Sequence, residues 1–408
     1  MSDESIRPGL IEQPGSTEVE IKSSGIIFPT HERTLHMKKL LIASAVSAAF
    51  AAPATALAQA KVPTLGQIFD ASGISVSGYI DAAYSHANRN IQTGFSDRAF
   101  DSQNNSFALH QFGLTVAKQP KEGFGGVVNL TVGSDGQLIH SFPEAAGPGS
   151  STFDLTQAYG QYAGGAFTLM AGKFTTLAGT EVIASTGNTT FSRSILFTAV
   201  PLTHTGVRAG YAPSDTVTLY GGVNNGWDQL TDGNRGKTLE LGATLIPIKP
   251  LTVNVSGYFG KESAVAPGFQ TGAGLQGQRN ALDVTANYII SNSMSVGAEL
   301  LYVTQEDTAA GTAKYNGAAG YFTYMLDSQW RVVARAEMFD DKQGFHFNTA
   351  TGTKYSEVTA TLSYLPNSSA ELRAEVRMDK ANNSVFVDSD GSASKTLQTF
   401  ALQGIYKF

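Results

Sequence analysis

Apolar and polar residues alternate along most of this chain. In Ala370–Lys380 the apolar positions are Leu372, Ala374, Val376 and Met378, and the charged positions between them are Glu371, Arg373, Glu375, Arg377 and Asp379. The same alternation covers Gly73–Ser85 and Leu251–Phe259. A period of two residues is typical of a β-strand with one apolar face and cannot form a helix face. The pattern therefore predicts an all-β fold.

The predicted strands are long, and the connections between them alternate in length. Many runs cover about 9–14 residues, whereas strands of soluble sheets usually have about 5–6. About 9–11 residues are needed for a tilted strand to cross a bilayer. Short polar turns, such as Gln119–Gly123 and Leu365–Ser369, alternate with long Gly/Ser/Asn-rich stretches, such as His86–Asn104 and Thr175–Thr203. Short turns at one end and long loops at the other are typical of transmembrane barrels.

The connections divide the chain into about 16 strands, an even number, as bacterial barrels have. The predicted strands start near residues 73, 105, 123, 152, 166, 204, 216, 237, 251, 280, 294, 314, 330, 355, 370 and 395. The fold class is thus a transmembrane antiparallel β-barrel with short periplasmic turns and long extracellular loops. A soluble β-sandwich is the alternative, but it would have shorter strands and no systematic difference between its two ends.

An export signal precedes the predicted barrel. Met37–Lys39 is a short basic region, Leu40–Ala52 is apolar, and Ala56–Ala60 offers two A-x-A cleavage sites. An apolar run of this length is too short for a membrane-spanning helix, which takes about 20 residues. We therefore expect an upstream extension at 1–36, a signal peptide at 37–60 and an outer-membrane barrel at 61–408.

The composition excludes several classes of function. The chain has no cysteine, which excludes disulfides, Cys-ligated zinc and thiol catalysis. It has 34 acidic and 28 basic side chains, and a net charge of −6 argues against nucleic acid as a partner. No motif calls for a cofactor or a metal, so we expect none.

The C-terminus carries a feature of its own. Phe400, Leu402, Gly404, Tyr406 and Phe408 share one parity of the last predicted strand, and Phe408 ends the chain. A final amphipathic strand that ends in Phe, with an aromatic residue two positions before it, resembles the assembly signal of bacterial outer-membrane barrels. Tyr406 and Phe408 are therefore predicted to be recognised by the barrel-assembly machinery.

The polar parity of the strands holds many charges, which a barrel would turn towards its lumen. Unpaired buried charges cost several kcal/mol each, so these groups need water or dense pairing. About 16 strands enclose an aqueous channel, whereas about eight are filled by side chains. A water-filled pore is the first interpretation, and a plugged or ion-paired interior is the alternative. The pore-lining candidates are Asp81, Glu181, Arg208, Glu299, Arg331, Arg335, Glu337, Glu371, Arg373, Glu375 and Arg377.

Two parts of this set could control passage. The arginines at 331, 335, 373 and 377 are spaced four residues apart on two strands and could form a basic ladder, although the interleaved Glu337, Glu371 and Glu375 could neutralise it. The longest loop, Thr175–Thr203, follows the fifth strand and contains Glu181 and Arg193. In many general porins the third outer loop folds inward, which makes Glu181 a constriction candidate. Folding outward as a lid remains open.

Other motifs carry little weight. Gly272-x-Gly274-x-x-Gly277 matches a dinucleotide fingerprint by its letters, but an alternating strand follows it where a helix is needed. Asp388-x-Asp390-Gly391 lacks most of a calcium loop and favours a turn. His204, with Ser192 and Ser194 upstream, is the nearest approach to a nucleophile–base pair, and a structural hydrogen bond is the favoured interpretation.

Several segments resemble one known family. Met170–Ser185, Phe191–Tyr211, Gly222–Asp228 and Asn234–Thr238 look like the OmpL-like β-barrel porin family, and Phe107–Gly126 and Thr152–Tyr162 are similar to the same family. The resemblance runs from about residue 64 to the end. It implies an outer-membrane porin of Gram-negative bacteria, and it implies neither a solute nor a role for any residue.

The predicted function is a passive diffusion channel for small hydrophilic solutes and ions, without enzymatic chemistry. Two alternatives belong to other classes: a closed-lumen surface barrel whose loops bind a ligand or partner, and a barrel hydrolase that uses His204. The expected partners are outer-membrane lipid, the assembly machinery and the solutes, and a homo-trimer is left open. The predicted location is the bacterial outer membrane.

Overall fold

The structure is a computed structural model that describes residues 69, 71–91, 97–144, 146–147, 149–263 and 276–408. The predicted extension at 1–36 and the predicted signal peptide at 37–60 lie outside the described residues, as do Gly272 and Gly274 of the dinucleotide-like motif.

Sixteen antiparallel strands form one closed barrel, in which each strand pairs with its neighbours in sequence and the last pairs with the first. The barrel strands are β1 (Ser75–Ala87), β2 (Ser106–Lys118), β3 (Gly123–Val132), β4 (Phe153–Gly164), β5 (Phe167–Thr175), β6 (Thr203–Ser214), β7 (Val217–Asn224), β8 (Thr238–Ile248), β9 (Leu251–Ser263), β10 (Gln276–Ser291), β11 (Met294–Thr308), β12 (Gly311–Met325), β13 (Trp330–Asp341), β14 (Thr353–Asn367), β15 (Ala370–Ala381) and β18 (Thr396–Lys407). A small hairpin, β16 (Phe386–Val387) and β17 (Ala393–Ser394), precedes the last strand. The predicted fold class is confirmed.

The alternation seen in the sequence is the inside–outside pattern of the wall. On β15, the apolar Leu372 and Val376 each expose 55% of their surface, while Arg373 and Glu375 between them are buried. In lipid every backbone polar group must be satisfied within the protein, and a closed barrel does this because it has no free strand edge. The apolar parity therefore faces lipid and the polar parity faces the lumen.

The two ends of the barrel differ as predicted. At one end the strands are joined by turns of two to four residues, such as 165–166 between β4 and β5. At the other end are the long connections 88–105, 133–152, 176–202, 225–237, 342–352 and 382–395. The exception is the tight turn at 309–310 between β11 and β12. By the architecture of such barrels, the short-turn end is periplasmic and the long-loop end is extracellular.

The long-loop end of the barrel contains an apolar core, which the alternation did not predict. A short helix, α1 (Ile195–Thr198), places Ile195 and Leu196 against Tyr315 and Phe339 of the wall, and all four side chains are buried. Two 3-10 turns, Asp135–Leu138 and Ser185–Gly187, belong to the connection between β3 and β4 and to the connection between β5 and β6. None of the helices in the described part of the chain has the length and hydropathy of a membrane span.

Candidate functional site

The connection between β5 and β6, residues 176–202, lies inside the barrel, and we call it the inner loop. Its beginning bonds to β9, where the Leu177 amide donates to the Tyr258 hydroxyl at 2.8 Å. Its middle bonds to β1, where the Ser185 hydroxyl donates to Asp81. Strands β1 and β9 lie on opposite sides of the closed barrel. The inner loop therefore crosses the lumen.

Carboxylates of the wall hold this loop by its main chain. Four of them accept six backbone N–H groups: Asp283 from Gly179 (2.8 Å), Glu299 from Thr180 (2.9 Å), Glu375 from Phe191 (2.6 Å) and Ser192 (3.0 Å), and Glu337 from Ile195 (2.7 Å) and Leu196 (3.2 Å). A buried N–H group without a partner costs about 1–3 kcal/mol, and these carboxyl oxygens supply the partners. Together they fix the loop at several heights along the wall.

Arg335 on β13 connects the wall to the centre of the inner loop. Its guanidinium donates to Glu181 of the loop at 2.6 Å, to the Ser192 carbonyl at 2.8 Å and to Glu357 on β14 at 3.1 Å. Glu181 also accepts from the Ser194 amide at 2.6 Å. Glu181, proposed from the sequence as a constriction residue, thus lies inside the barrel and pairs with the wall.

Two arginines of β15 bind carbonyl groups of the same loop. Arg373 donates to the carbonyls of Asn188 at 2.6 Å and Thr190 at 2.9 Å, and Arg377 donates to the carbonyl of Arg193. Main-chain donors and acceptors of the inner loop are therefore both matched by charged side chains of one wall.

Arg193, the other charged residue of the inner loop, stabilises the loop itself. Its guanidinium donates to the carbonyls of Val182, Phe191 and Ile183, each at 2.9 Å. It also lies over the rings of Phe100 and Phe197. The Arg193 side chain is only 1% exposed, and its bonds to three carbonyl groups of the loop stabilise the folded loop from within.

All the pore-lining candidates on strands lie on the inward parity, but they do not form one group. Arg208 on β6 pairs with Glu240 at 2.7 Å and donates to the Thr175 carbonyl. Arg331 lies near the short-turn end and pairs with Glu371, which also accepts from Arg373 at 2.6 Å. The rest contact the inner loop: Asp81, Glu299, Arg335, Glu337, Arg373, Glu375 and Arg377. Pairing with Glu371, Glu181 and Glu357 partly neutralises the row of arginines at 331, 335, 373 and 377.

Water does not reach the wall charges at the level of the inner loop. The exposed fraction is 1% for Arg335, 3% for Glu337 and 4% for Glu375. Towards the short-turn end the inward residues are mostly uncharged, apart from the pair Arg331 and Glu371, and several are open to solvent, among them Ser77 and Asn287. The structure thus has an open vestibule at one end and a packed, charged layer further in.

Two long loops at the extracellular end also hold the inner loop in place. Asp228, between β7 and β8, accepts from the amides of Leu202 and Thr203 at 2.9 Å each, and burial raises its pKa to about 6. His346, between β13 and β14, bonds the Thr198 hydroxyl at 3.1 Å. Burial, with a smaller contribution from Arg279, lowers the pKa of His346 to about 3.

Some members of the site did not stand out in the sequence. Gln111 donates to the Ile183 carbonyl and accepts from the Ser185 amide, and Gln403 donates to Asp81. Uncharged amides at inward positions are common in barrels, so nothing in the alternation marks them. The apolar Ile195–Phe197 inside a polar loop is a signal that could have indicated a buried segment.

The motifs set aside have structural roles here. His204 bonds the Gly226 carbonyl at 3.1 Å and stacks on Tyr258, while Ser194 caps α1 by accepting from the Phe197 amide. Asp388 pairs with Arg89. Gly277, the described end of the dinucleotide-like motif, lies in strand β10.

The C-terminal aromatic residues lie on the outside of the barrel seam. Phe408 and Gly78 exchange two backbone hydrogen bonds, of 2.8 and 2.9 Å. Tyr406 and Phe408 are 43% and 37% exposed on the lipid face. The contacts of the final strand thus complete the ring between β18 and β1.

Comparison with known proteins agrees with this architecture. Residues 73–408 match the family model described as "Putative beta-barrel porin-2, OmpL-like". No curated protein sequence matches the chain.

Solved structures of similar fold are outer-membrane barrels of low sequence identity. The loop L8 deletion mutant of OmpT, an outer-membrane protein of Vibrio cholerae, is 13% identical with a TM-score of 0.57, and the match covers 82% of this chain and 99% of OmpT. The outer-membrane channel DcaP of Acinetobacter baumannii is 13% identical with a TM-score of 0.57, covering 82% and 97%. The anion-selective porin of Comamonas acidovorans is 10% identical with a TM-score of 0.55, covering 82% and 99%.

The family model covers the whole barrel, including the inner loop and every wall residue that binds it, and the similar structures share the fold. The chain therefore belongs to the OmpL-like family of β-barrel porins, and it is a porin of the bacterial outer membrane.

Proposed function

We propose that this porin passes small hydrophilic solutes and ions down their gradients and that the inner loop is its gate. The observation that carries the proposal is the bonding of the inner loop to the wall through main-chain groups and charged side chains. These bonds bury the wall charges, so the described conformation is the closed one. Release of the loop would return the charges to water, where they could line a passage.

Size and charge both support a channel behind this gate. A closed barrel of 16 strands is wide enough for an aqueous lumen, whereas a barrel of about eight strands is filled by side chains. Charged rings in such a lumen sort ions by sign. In the open state we assign the wall to the strand residues predicted from the sequence: Asp81, Arg208, Glu299, Arg331, Arg335, Glu337, Glu371, Arg373, Glu375 and Arg377. Glu181 would leave this layer with the loop.

The packed interior favours one alternative over the others. A barrel whose lumen stays closed and whose extracellular loops bind a ligand would show the same buried wall charges. It differs from the gated channel in one respect, because breaking the bonds between loop and wall would not produce conductance.

Bilayer recording separates the two. The mature chain, taken from Lys61, is refolded into planar bilayers beside the double variant Glu337→Gln, Glu375→Gln, which weakens four of the main-chain bonds. Glu240→Gln is the matched control, since Glu240 bonds Arg208 and Asn224 and not the inner loop. We expect brief, small openings for the wild type and the control, and frequent larger ohmic steps for the double variant. A folded double variant that stays silent would contradict the gated channel.

The remaining roles are proposals that follow from a porin of this architecture. Residues 37–60 would direct export and be removed, and the barrel-assembly machinery would recognise Tyr406 and Phe408 while lipid surrounds the apolar face. A homo-trimer is compatible with the fold, since OmpT of Vibrio cholerae has been solved in a trimer form. We assign no bond-making chemistry to the site, because passage needs none.

A further inference from the structure

One part of the inner loop is bound to the wall mainly through its main chain, as a peptide can be bound. The segment Asn188–Arg193 lies along β15, and its contacts follow the order of the strand. Asn188 and Thr190 give their carbonyls to Arg373, Phe191 and Ser192 give their amides to Glu375, and Arg193 gives its carbonyl to Arg377. Asn188 has extended backbone angles, with φ −117° and ψ 155°, and the chain then bends at residues 189–192, so that the successive amides of Phe191 and Ser192 reach the same carboxylate.

The wall residues contact the segment in chain order. Arg373, Glu375 and Arg377 alternate on one face of β15, so each is roughly 6.6–6.8 Å from the next. The segment reaches all three side chains while it bends at residues 189–192. A row of donor, acceptor and donor groups is complementary to carbonyl, amide and carbonyl groups of a main chain. We call these three side chains the β15 track.

Glu375 shows how strongly the track depends on its occupant. Within the described residues Glu375 has no salt bridge, and its only side-chain partner is the Thr361 hydroxyl at 2.8 Å. Both of its carboxylate oxygens are otherwise satisfied by the loop amides. A buried carboxylate without partners is costly. When the loop leaves, Glu375 needs new N–H donors, from water or from a solute.

A side-chain slot accompanies the track. Phe191 is 5% exposed and packs with Ala83 and Ala401, while its ring meets the edge of His110 at a centroid distance of 5.1 Å. The slot fixes the register of the segment, because a shift by one residue would turn the ring away from it. Backbone bonds with one side-chain pocket are a common basis of peptide recognition.

We propose that the β15 track is a binding site for short peptides in the open channel, and that the segment Asn188–Arg193 occupies it as an internal competitor. The proposal rests on the inner loop being a gate, and it names the class of solute that the same wall recognises. Solutes without adjacent N–H and C=O groups, such as sugars, would lack this complementarity.

A free peptide with the sequence of the segment tests the site. The probes are acetyl-Asn-Thr-Thr-Phe-Ser-Arg-amide with a fluorophore, the same peptide N-methylated at Phe and Ser, and a neutral oligosaccharide of similar mass. Binding to the detergent-folded barrel is followed by anisotropy. Three proteins are compared: the wild type, the single variant Glu337→Gln, and the double variant Glu337→Gln with Glu375→Gln. The single variant frees the track by weakening the bonds to α1. In planar bilayers the same probes are scored as transient blocks of the open current.

We expect saturable binding that is at least about tenfold tighter in Glu337→Gln than in the wild type, because the internal segment competes less. The N-methylated peptide should bind about tenfold more weakly, since it lacks both donors to Glu375. The double variant should lose the difference between the two peptides. The comparison of the two peptides needs no change in the protein, so it remains informative even when a variant fails to fold.

Equal binding of the two peptides, an equal effect of the oligosaccharide, or no saturable binding to Glu337→Gln would overturn the peptide site. A conducting channel without peptide block would leave the gated porin standing and remove the peptide site. A barrel that binds the peptide selectively but never conducts would support the peptide site and contradict the gated porin.

Discussion

The two halves of the lumen differ more than their sequences suggest. Near the short turns the inward side chains are mostly uncharged, apart from the pair Arg331 and Glu371, and several meet solvent, as Ser77 and Asn287 do. Near the long loops the inward side chains are charged, and Glu337 and Arg335 expose 3% and 1% of their surface. Most uncharged polar side chains near the short turns are thus open to solvent, whereas the charged side chains near the long loops are buried. The inner loop explains this difference, because it supplies the partners that make the burial of charge affordable.

The largest expected effect comes from removing a cation from the packed half. Arg335→Met would leave Glu181 and Glu357 facing each other in a buried layer, and breaking such a pair costs about 3–5 kcal/mol. Arg331→Met is the matched change near the short turns, where Glu371 keeps Arg373 as a partner, so a smaller loss of unfolding free energy is expected there. Urea unfolding in lipid vesicles measures both. Equal losses of unfolding free energy would contradict the contrast between the two halves.

Two inward glycines, one in each half of the lumen, test the same contrast through the space available for an added methyl group. A Cβ at Gly317 would lie 2.7 Å from Leu196 of α1 and 2.9 Å from the Met338 carbonyl, so Gly317→Ala should push α1 from the wall at a cost of about 1–3 kcal/mol. At Gly297, towards the short turns, the nearest atom is 3.4 Å away, and Gly297→Ala should be tolerated. Open probability in bilayers is the readout. It should rise for Gly317→Ala alone, and a rise in both variants would speak against the packing of α1 as the cause.

Acid should act on the two external anchors with opposite signs. His346 has a pKa of about 3 in the folded protein and about 6.5 when released, so its contribution to closure is lost as pH falls from 6.5 towards 3. Asp228 has a folded pKa of about 6, above its unfolded value, so its contribution is present at low pH and is lost as pH rises through 6. Open probability between pH 7 and 4 should therefore rise less in His346→Phe, and more in Asp228→Asn, than in the wild type. The reverse order of the two variants would exclude these anchors as the source.

The smallest effect is expected in the vestibule. Ser77 is exposed and its hydroxyl is available to water, so Ser77→Ala should change the unfolding free energy by less than about 0.5 kcal/mol. The open probability should not change either, because Ser77 makes no hydrogen bond to the inner loop among the described residues. A measurable change in gating would mean that the vestibule and the packed layer are coupled.

The sequence predicts the wall better than it predicts what fills the lumen. The existence and number of the strands, and the side to which each residue points, follow from the alternation. Every outward side chain contacts lipid, so its apolar character does not depend on a particular partner. The position of the inner loop rests on amides of Gly179, Phe191 and Ile195, and every residue except proline has such an amide. Charges at Glu337 and Glu375 could therefore be assigned to the lumen from the sequence, whereas their partners could not.

Cysteine accessibility tests the closed inner loop most directly, because the chain has no cysteine of its own. Ser77→Cys reports on the vestibule, and Thr361→Cys reports on the wall beneath the inner loop, where Thr361 is 2% exposed. A small charged thiosulfonate is added to the barrel folded in vesicles or planar bilayers. We predict rapid modification of Ser77→Cys, and slow modification of Thr361→Cys that becomes rapid when Glu337→Gln is added. Equal, rapid modification of both cysteines in the otherwise unchanged protein would show that the inner loop does not close the lumen.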